Sequence, residues 1–436
     1  MIAREFLYSE TLKKNLRLKS SSLRKKQMKK LRRILKIAYE NVPLYHRKYK
    51  AASIHPDDII TLDDLAKVPP VTKSEIQLSP MQNMIARKAN ASRLTWRSTS
   101  GSTGTPLNIA LNKRTVELEG AIWYRSLSEN GFRFRDKTSI ICDPRSFPKS
   151  RRLIESLGII KRQYLSIFDS AETQLTHLEQ FKPDVIKAYP SSLSILADYS
   201  KQRASSLKPR IVFTSAEILD RQSREFINSA FGTEIFDNYS SNEFALMAWE
   251  CSKHNGYHIN LDSILMEFVE DEETVAFGER GEILCTGILN EIMPLIRYKI
   301  GDVGIPIKDE CSCGRTLPLM KMVEGRADDF LITTDGQIIS PTVFFPYPFT
   351  NFDEIRQFRV IQEKREHVVI QVIPRNGLHN KQQILQEAEN NIKRLFGEQM
   401  QVEFQVLDKI ERDSTGKFRK IVSNIPIENY TWNHYN

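Results

Sequence analysis

The sequence predicts an α/β protein: a large N-terminal body of parallel α/β layers with β elements, followed by a small α+β C-terminal domain. Three observations predict it. Short β-rich runs alternate with helical patterns between about 90 and 325, the signature of parallel layers. Beyond about 330 the order changes to two strands, one helix and a further strand. A length of 436 residues calls for two or three domains.

The elements follow in chain order. Residues 1–50 hold sixteen Lys/Arg against three Asp/Glu, a net of +13, so the other 386 residues carry −4 of the overall +9. Basicity is therefore local, which argues against a nucleic-acid binder as a whole. Within the basic helical segment (1–42), Leu31, Ile34, Leu35 and Ala38 fall on one helical face, and Pro43 ends the pattern. Such a segment suits a polyanion or a membrane surface; the alternative is a packed helix with a solvated basic face. TSIICDP (138–144), PDVIKAY (183–189), PRIVFTSAE (209–217) and TEIFDNYSS (233–241) read as buried strands ending in polar residues. SSLSILADYSKQ (191–202) and DRQSREFINSAF (220–231) read as the helices between them. Ligands gather at the carboxyl ends of strands in such sheets, so these polar tails are the place to look. IRQFRVIQEK (355–364), HVVIQVIP (367–374), the helix at 381–397 and QVEFQVLDKI (401–410) form the α+β unit. The boundaries are thus 1–326 and 330–436.

No run of about 18 apolar residues occurs, which excludes a membrane-spanning helix. The start, MIAREFLYSE, lacks the apolar core of a secretory signal. Five cysteines do not make a disulfide framework, and a reduced, cytoplasmic compartment is expected.

The strongest local signal is the stretch 98–106, in which Ser98, Thr99, Ser100, Ser102 and Thr103 surround Gly101 and Gly104. Glycines let successive N–H groups converge on one point, and hydroxyls add donors, an arrangement suited to a phosphate chain. The Gly-Lys-Ser/Thr ending of a Walker loop is missing. Cys251 and His258 in CSKHNGYH, with Cys311 and Cys313 in CSCG, make a donor set suited to tetrahedral zinc, although the spacings are not those of common zinc fingers and His254 competes with His258. Cys142 and Cys285 sit in apolar runs and are expected in the core.

The 98–106 loop resembles the phosphate loop of adenylate-forming enzymes, the superfamily of acyl-CoA synthetases, peptide-synthetase adenylation domains and luciferases. The chain is most similar to the phenylacetate–CoA ligase family and its capsule-biosynthesis relatives. AYENVPLYHRKY (38–49), VPPVTKSEI (68–76), TSAEIL (214–219), NYSSNE (238–243), RYKIGD (297–302), GRADD (325–329) and DSTGKFRK (413–420) carry the resemblance, in family order.

The resemblance implies ATP-dependent activation of a carboxylate through an acyl-adenylate, with release of pyrophosphate and transfer to the thiol of CoA. It implies that the loop, with Ser240, Ser241 and Asn242, holds phosphates, and that Glu243 holds Mg. Tyr239 would face adenine, with Ala216 and Glu217 on the other side of the base. Asp302 and Arg326 would bind the ribose. Lys417 would reach the reacting carboxylate and α-phosphate, where a cation stabilises developing charge. Asp328 and Asp329 would be the hinge (near 327–329) of a mobile lid. A structural zinc near the cysteines is implied as well. Lys299, where many relatives have Arg, replaces a forked donor by a point charge. Tyr189, Ser191 and Ser192 are candidates for the acid pocket. An amine, sugar or carrier-protein acceptor remains an alternative to CoA. A non-catalytic nucleotide- or polyanion-binding protein is the alternative of another class. A homodimer is the expected assembly.

Overall fold

The structure is a computed structural model. It describes residues 2–99, 106–148, 153–321, 330–339, 344, 349, 354–375, 381–413, 416–425 and 431–432. The chain divides into two compact units, Met1–Arg133 with Phe236–Val323, and Phe134–Ile235 with Glu324–Asn436.

In the first unit the basic N-terminal segment forms two helices, Ile2–Asn15 and Ser20–Asn41. Leu31, Ile34, Leu35 and Ala38 are buried as the spacing predicts, against Leu265, Ile288 and Ile296. The helix is therefore integral to the fold, with Arg24, Lys25, Lys29, Arg32 and Lys36 left on its exposed side. A buried polar knot anchors it. Arg125, fully enclosed on the helix Lys113–Glu129, donates to Asn260 Oδ1 at 2.5 Å and pairs with Asp262. Asn15 donates to the other Asp262 oxygen at 2.6 Å, and Lys30 donates to the Asp262 carbonyl at 2.6 Å.

The strands of this unit run antiparallel. Ile235–Ser241 pairs with Ala245–Glu250, which pairs with Tyr257–Ile259. Ile264–Glu270, Gly281–Gly287, Tyr298–Ile307 and Leu319–Lys321 follow in antiparallel contact. TEIFDNYSS is thus a buried strand, but its partner along 245–250 is antiparallel. The physical reason is the tight turn 242–244, with Ser241 opposite Ala245, which reverses the chain without the crossover helix that parallel pairing needs.

The parallel layers lie in the second unit, in the order Arg162–Ser166, Thr138–Cys142, Val185–Ala188, Ile211–Ser215. Ile141, Leu165, Ile186 and Val212 face a core completed by Leu178, Leu193, Leu196, Ile227 and Phe231 from the intervening helices. The C-terminal segment forms the predicted small sheet, ordered Gln401–Val406, His367–Pro374, Ile355–Lys364, Ile421–Ser423. The helix Lys381–Phe396 covers it through Ala388, Ile392 and Phe396. Among the described residues no helix is long and apolar enough to cross a membrane.

The knot around Asp262 gives a test of the first unit. Arg125→Leu strips a buried carboxylate of its cation, and removing one partner of a buried pair costs about 3–5 kcal/mol. A correspondingly lower denaturant midpoint is expected, followed by tryptophan fluorescence, since Trp249 bonds Asn260 in the same knot.

Candidate active site

In the first unit the stretch 98–106 is the connection of a hairpin, Thr95–Ser98 with Asn108–Leu111. Ser98 Oγ donates to Asn108 Oδ1 at 2.5 Å, and Thr99 closes the base with two bonds to Leu107, 2.8 and 2.9 Å. Ser100, Gly101, Ser102, Thr103 and Gly104 lie outside the described residues. Arg97, one residue before Ser98, donates to the Asn242 carbonyl at 3.2 Å and to Glu119 at 2.6 Å. The hairpin base is thereby tied to the turn that carries Asn242 and Glu243. Burial pushes the Glu119 carboxyl up and the Arg97 guanidinium opposes it.

Ser241 Oγ accepts from Phe244 N at 3.2 Å and stabilises the turn; Ser240 beside it is half-buried. Glu243 accepts a bond from Tyr298 at 3.3 Å. Tyr239 donates to Asp302 Oδ2 at 2.6 Å, and burial, then the Asp302 charge, push its phenol well up. Two separate tyrosine–carboxylate bonds, Tyr239 to Asp302 and Tyr298 to Glu243, thus link the strand and turn at 239–243 to the strand at 298–302. Arg297 at the head of RYKIGD is structural. It is fully buried, pairs with Glu267 at 3.0 Å and donates to the Ala66 and Val68 carbonyls. Lys299 pairs with Glu282 at 3.4 Å.

Cys251, His258, Cys311 and Cys313 come together in the same unit, their ligand atoms all within 4.8 Å of one another. The Cys251–Cys311 sulfurs are 3.6 Å apart, and Cys313 Sγ lies 3.3 Å from His258 Nε2. A zinc ion with bonds of about 2.0–2.3 Å in tetrahedral geometry requires such separations. The other ring nitrogen, His258 Nδ1, lies 3.4 Å from the Leu317 carbonyl, which suits a neutral imidazole ligand. His254 is excluded: it contacts Glu250 at 3.3 Å and stacks on Phe236. Cys285 is core as expected, whereas Cys142 is half-buried at a strand end, its thiol pushed up to about 11 by burial.

In the second unit Ala216 follows the strand Ile211–Ser215 with φ of 73°, a left-handed conformation unusual for alanine. This bend delivers Glu217 to the start of the helix Pro190–Gln202. There its oxygens accept from Ser191 N at 2.9 Å, Ser191 Oγ at 3.0 Å and Phe418 N at 2.7 Å. Burial pushes the Glu217 carboxyl up, against Arg412 and these bonds. Ser192 is buried beside Ser191, and the Tyr189 phenol is raised by burial. The Lys417 turn is closed by Lys417 N to Asp413 Oδ1 at 3.0 Å and by Gly416 N to the Asp413 carbonyl at 2.9 Å. Lys420 pairs with Asp220 at 2.5 Å, and Arg375 with Asp198 at 2.7 Å. The C-terminal segment is thus docked on the parallel layers by charged contacts. Arg326, Asp328 and Asp329 lie outside the described residues.

Sequence reasoning missed Arg97, Glu119 and Arg412. Glu119 left a trace, an acid on the otherwise buried face of its helix; the arginines left none beyond adjacency to a motif.

Residues 331–424 match the family described as CapK C-terminal domain. The phenylacetate-coenzyme A ligase of Escherichia coli (strain K12) is 30% identical over 319 residues, covering 70% of this chain and 71% of the relative. Protein CapK of Staphylococcus aureus is 23% identical over 380 residues, 84% of this chain and 82% of the relative. A crystal structure of 2-hydroxyisobutyryl-CoA ligase, in the postadenylation state with an acyl-AMP, aligns with a TM-score of 0.79 at 18% identity, over 94% of this chain and 91% of that one. Fold and motifs define an adenylate-forming, AMP-producing ligase of the acid–CoA ligase class. The chain belongs to the phenylacetate–coenzyme A ligase family.

Gly416 offers a direct test of the Lys417 turn. Its φ is +78°, and a Cβ there would stand 2.4 Å from Ile167 Cγ2. Gly416→Ala should cost about 1–3 kcal/mol of local stability, detected as faster hydrogen exchange in 416–425.

Proposed function

We propose that the chain condenses a carboxylic acid with ATP and passes the acyl group to CoA. A carboxylate oxygen attacks the α-phosphorus, the bond to pyrophosphate breaks, and the acyl-adenylate forms. The CoA sulfur then attacks the acyl carbon, its thiol proton leaves, and the bond to AMP breaks. The observation that supports this reading is the Tyr239–Asp302 bond, which brings together the two residues that the family resemblance assigns to adenine and ribose. Ser98 and Thr99 start the phosphate loop. Glu243 would hold Mg, whose positive charge would offset the charge that builds as pyrophosphate departs. Lys417 supplies the cation for the developing charge on the α-phosphoryl oxygens, and the segment with Asp328 and Asp329 is the hinge that lets it leave for the second step.

An arylacetic acid is the first substrate class to test, because the 30% identical relative is named a phenylacetate ligase. The match to the CapK C-terminal domain favours a second reading, in which the adenylate is passed to a sugar, amine or carrier-protein acceptor. ATP and CoA as substrates, with five free cysteines, agree with a cytoplasmic setting.

ATP–pyrophosphate exchange with Mg, across aryl, arylacetic, fatty, amino and uronic acids, tests the reading. Exchange with one class is expected. Lys417→Ala should cut it by at least ~100-fold while ATP affinity changes little; an unchanged rate refutes the role of Lys417. The cysteine cluster is assigned a structural zinc, which ties the 251–258 segment to the 311–313 loop. Metal analysis should find about one zinc per chain, lost in Cys311→Ser together with a fall in melting temperature. A metal-free chain of unchanged stability rules the site out.

A further inference from the structure

The turn that carries Lys417 is clamped on both sides, and both clamps close on one residue. On the N-terminal side Arg412 donates to the Gly416 carbonyl at 2.9 Å and, through the same nitrogen, to Ser191 Oγ at 2.8 Å. On the C-terminal side Phe418 N donates to Glu217, which also takes Ser191 N and Oγ. Arg412 lies 3.9 Å from the Glu217 carboxylate, and both side chains are largely enclosed. Phe418 is held from its other side by Arg359, whose guanidinium sits 4.8 Å above the ring and donates to the Glu411 carbonyl at 2.7 Å. The peptide groups flanking Lys417 are therefore referenced to the first turn of the helix Pro190–Gln202.

We propose that Arg412 is a positioning residue for Lys417, setting the turn in the adenylation step and not in the thioester step. The inference rests on the reading above, in which Lys417 acts only before the hinge motion. It follows from the donor arithmetic. The bond from Arg412 to Ser191 and the contact with Glu217 exist only while Arg412 lies against the start of that helix, so they stabilise that one placement, whereas the bond to the Gly416 carbonyl is local and ties Arg412 to the turn itself. Misplacing a reacting group by about 1 Å can lower a rate ~100-fold.

The test uses the full chain and the acid that supports exchange. Arg412→Met keeps the stem and removes the donors. Arg412→Lys keeps a cation near Glu217 but loses the forked head. For Met, acyl-adenylate formation should fall ~10–100-fold with KM for ATP and acid unchanged. Thioester formation from supplied acyl-adenylate and CoA should stay within about twofold, and Lys should recover part of the first rate. Melting temperatures establish that each variant is folded; if Met is unfolded, Lys alone must show the split between half-reactions. Equal losses in both half-reactions, or no loss in the first, overturn the assignment while leaving the ligase reading intact. Absence of exchange in the unmodified chain overturns both.

Discussion

Burying a carboxylate is expensive unless N–H groups and a cation replace the water it loses. Glu217 meets that condition with three hydrogen bonds and Arg412 nearby, and much of the second unit is arranged to satisfy it. The strand Ile211–Ser215 ends in a left-handed alanine so that Glu217 turns toward Ser191. The helix beginning at Pro190 offers its first free N–H group there, where a negative charge is favoured. The C-terminal segment supplies Phe418 N and Arg412 from 200 residues away. One acidic side chain thus fixes a strand end, a helix start and the turn carrying Lys417. Both oxygens serve as acceptors for N–H groups, so an amide of the same shape would turn one donor against another.

The sequence made the layers legible where pattern and partner agree. The parallel strands at 138, 185 and 211 are apolar runs separated by helices, the pattern that parallel pairing through crossovers requires. The stripe of Leu31, Ile34, Leu35 and Ala38 marked a buried face because its period is a property of the helix alone. The antiparallel partner of 235–241 was not legible, since a short turn of ordinary residues decides it. The choice between His254 and His258 was equally hidden: register sets His258 opposite both Trp249 and Leu319, and that register exists only once three strands have paired.

The charged residues show the limit most clearly. Arg125, Arg297 and Arg412 are each largely or wholly enclosed and bonded to groups 30 to 231 residues away. An arginine in isolation carries no mark of its partner. A family motif draws attention to Lys417 and Asp302 by resemblance alone. It says nothing of the contacts by which this chain holds them.

The N-terminal helices also constrain how the chain is made. The stripe on Ser20–Asn41 packs against residues near 265 and 288–296, and Asn15 bonds Asp262, 247 positions later. A ribosome adding roughly 5–20 residues per second needs on the order of 10–50 s to deliver that partner surface. Throughout that interval an amphipathic helix waits with its apolar side uncovered. Its dense positive charge then acts as a built-in solubiliser, keeping neighbouring nascent chains apart until the first unit can close.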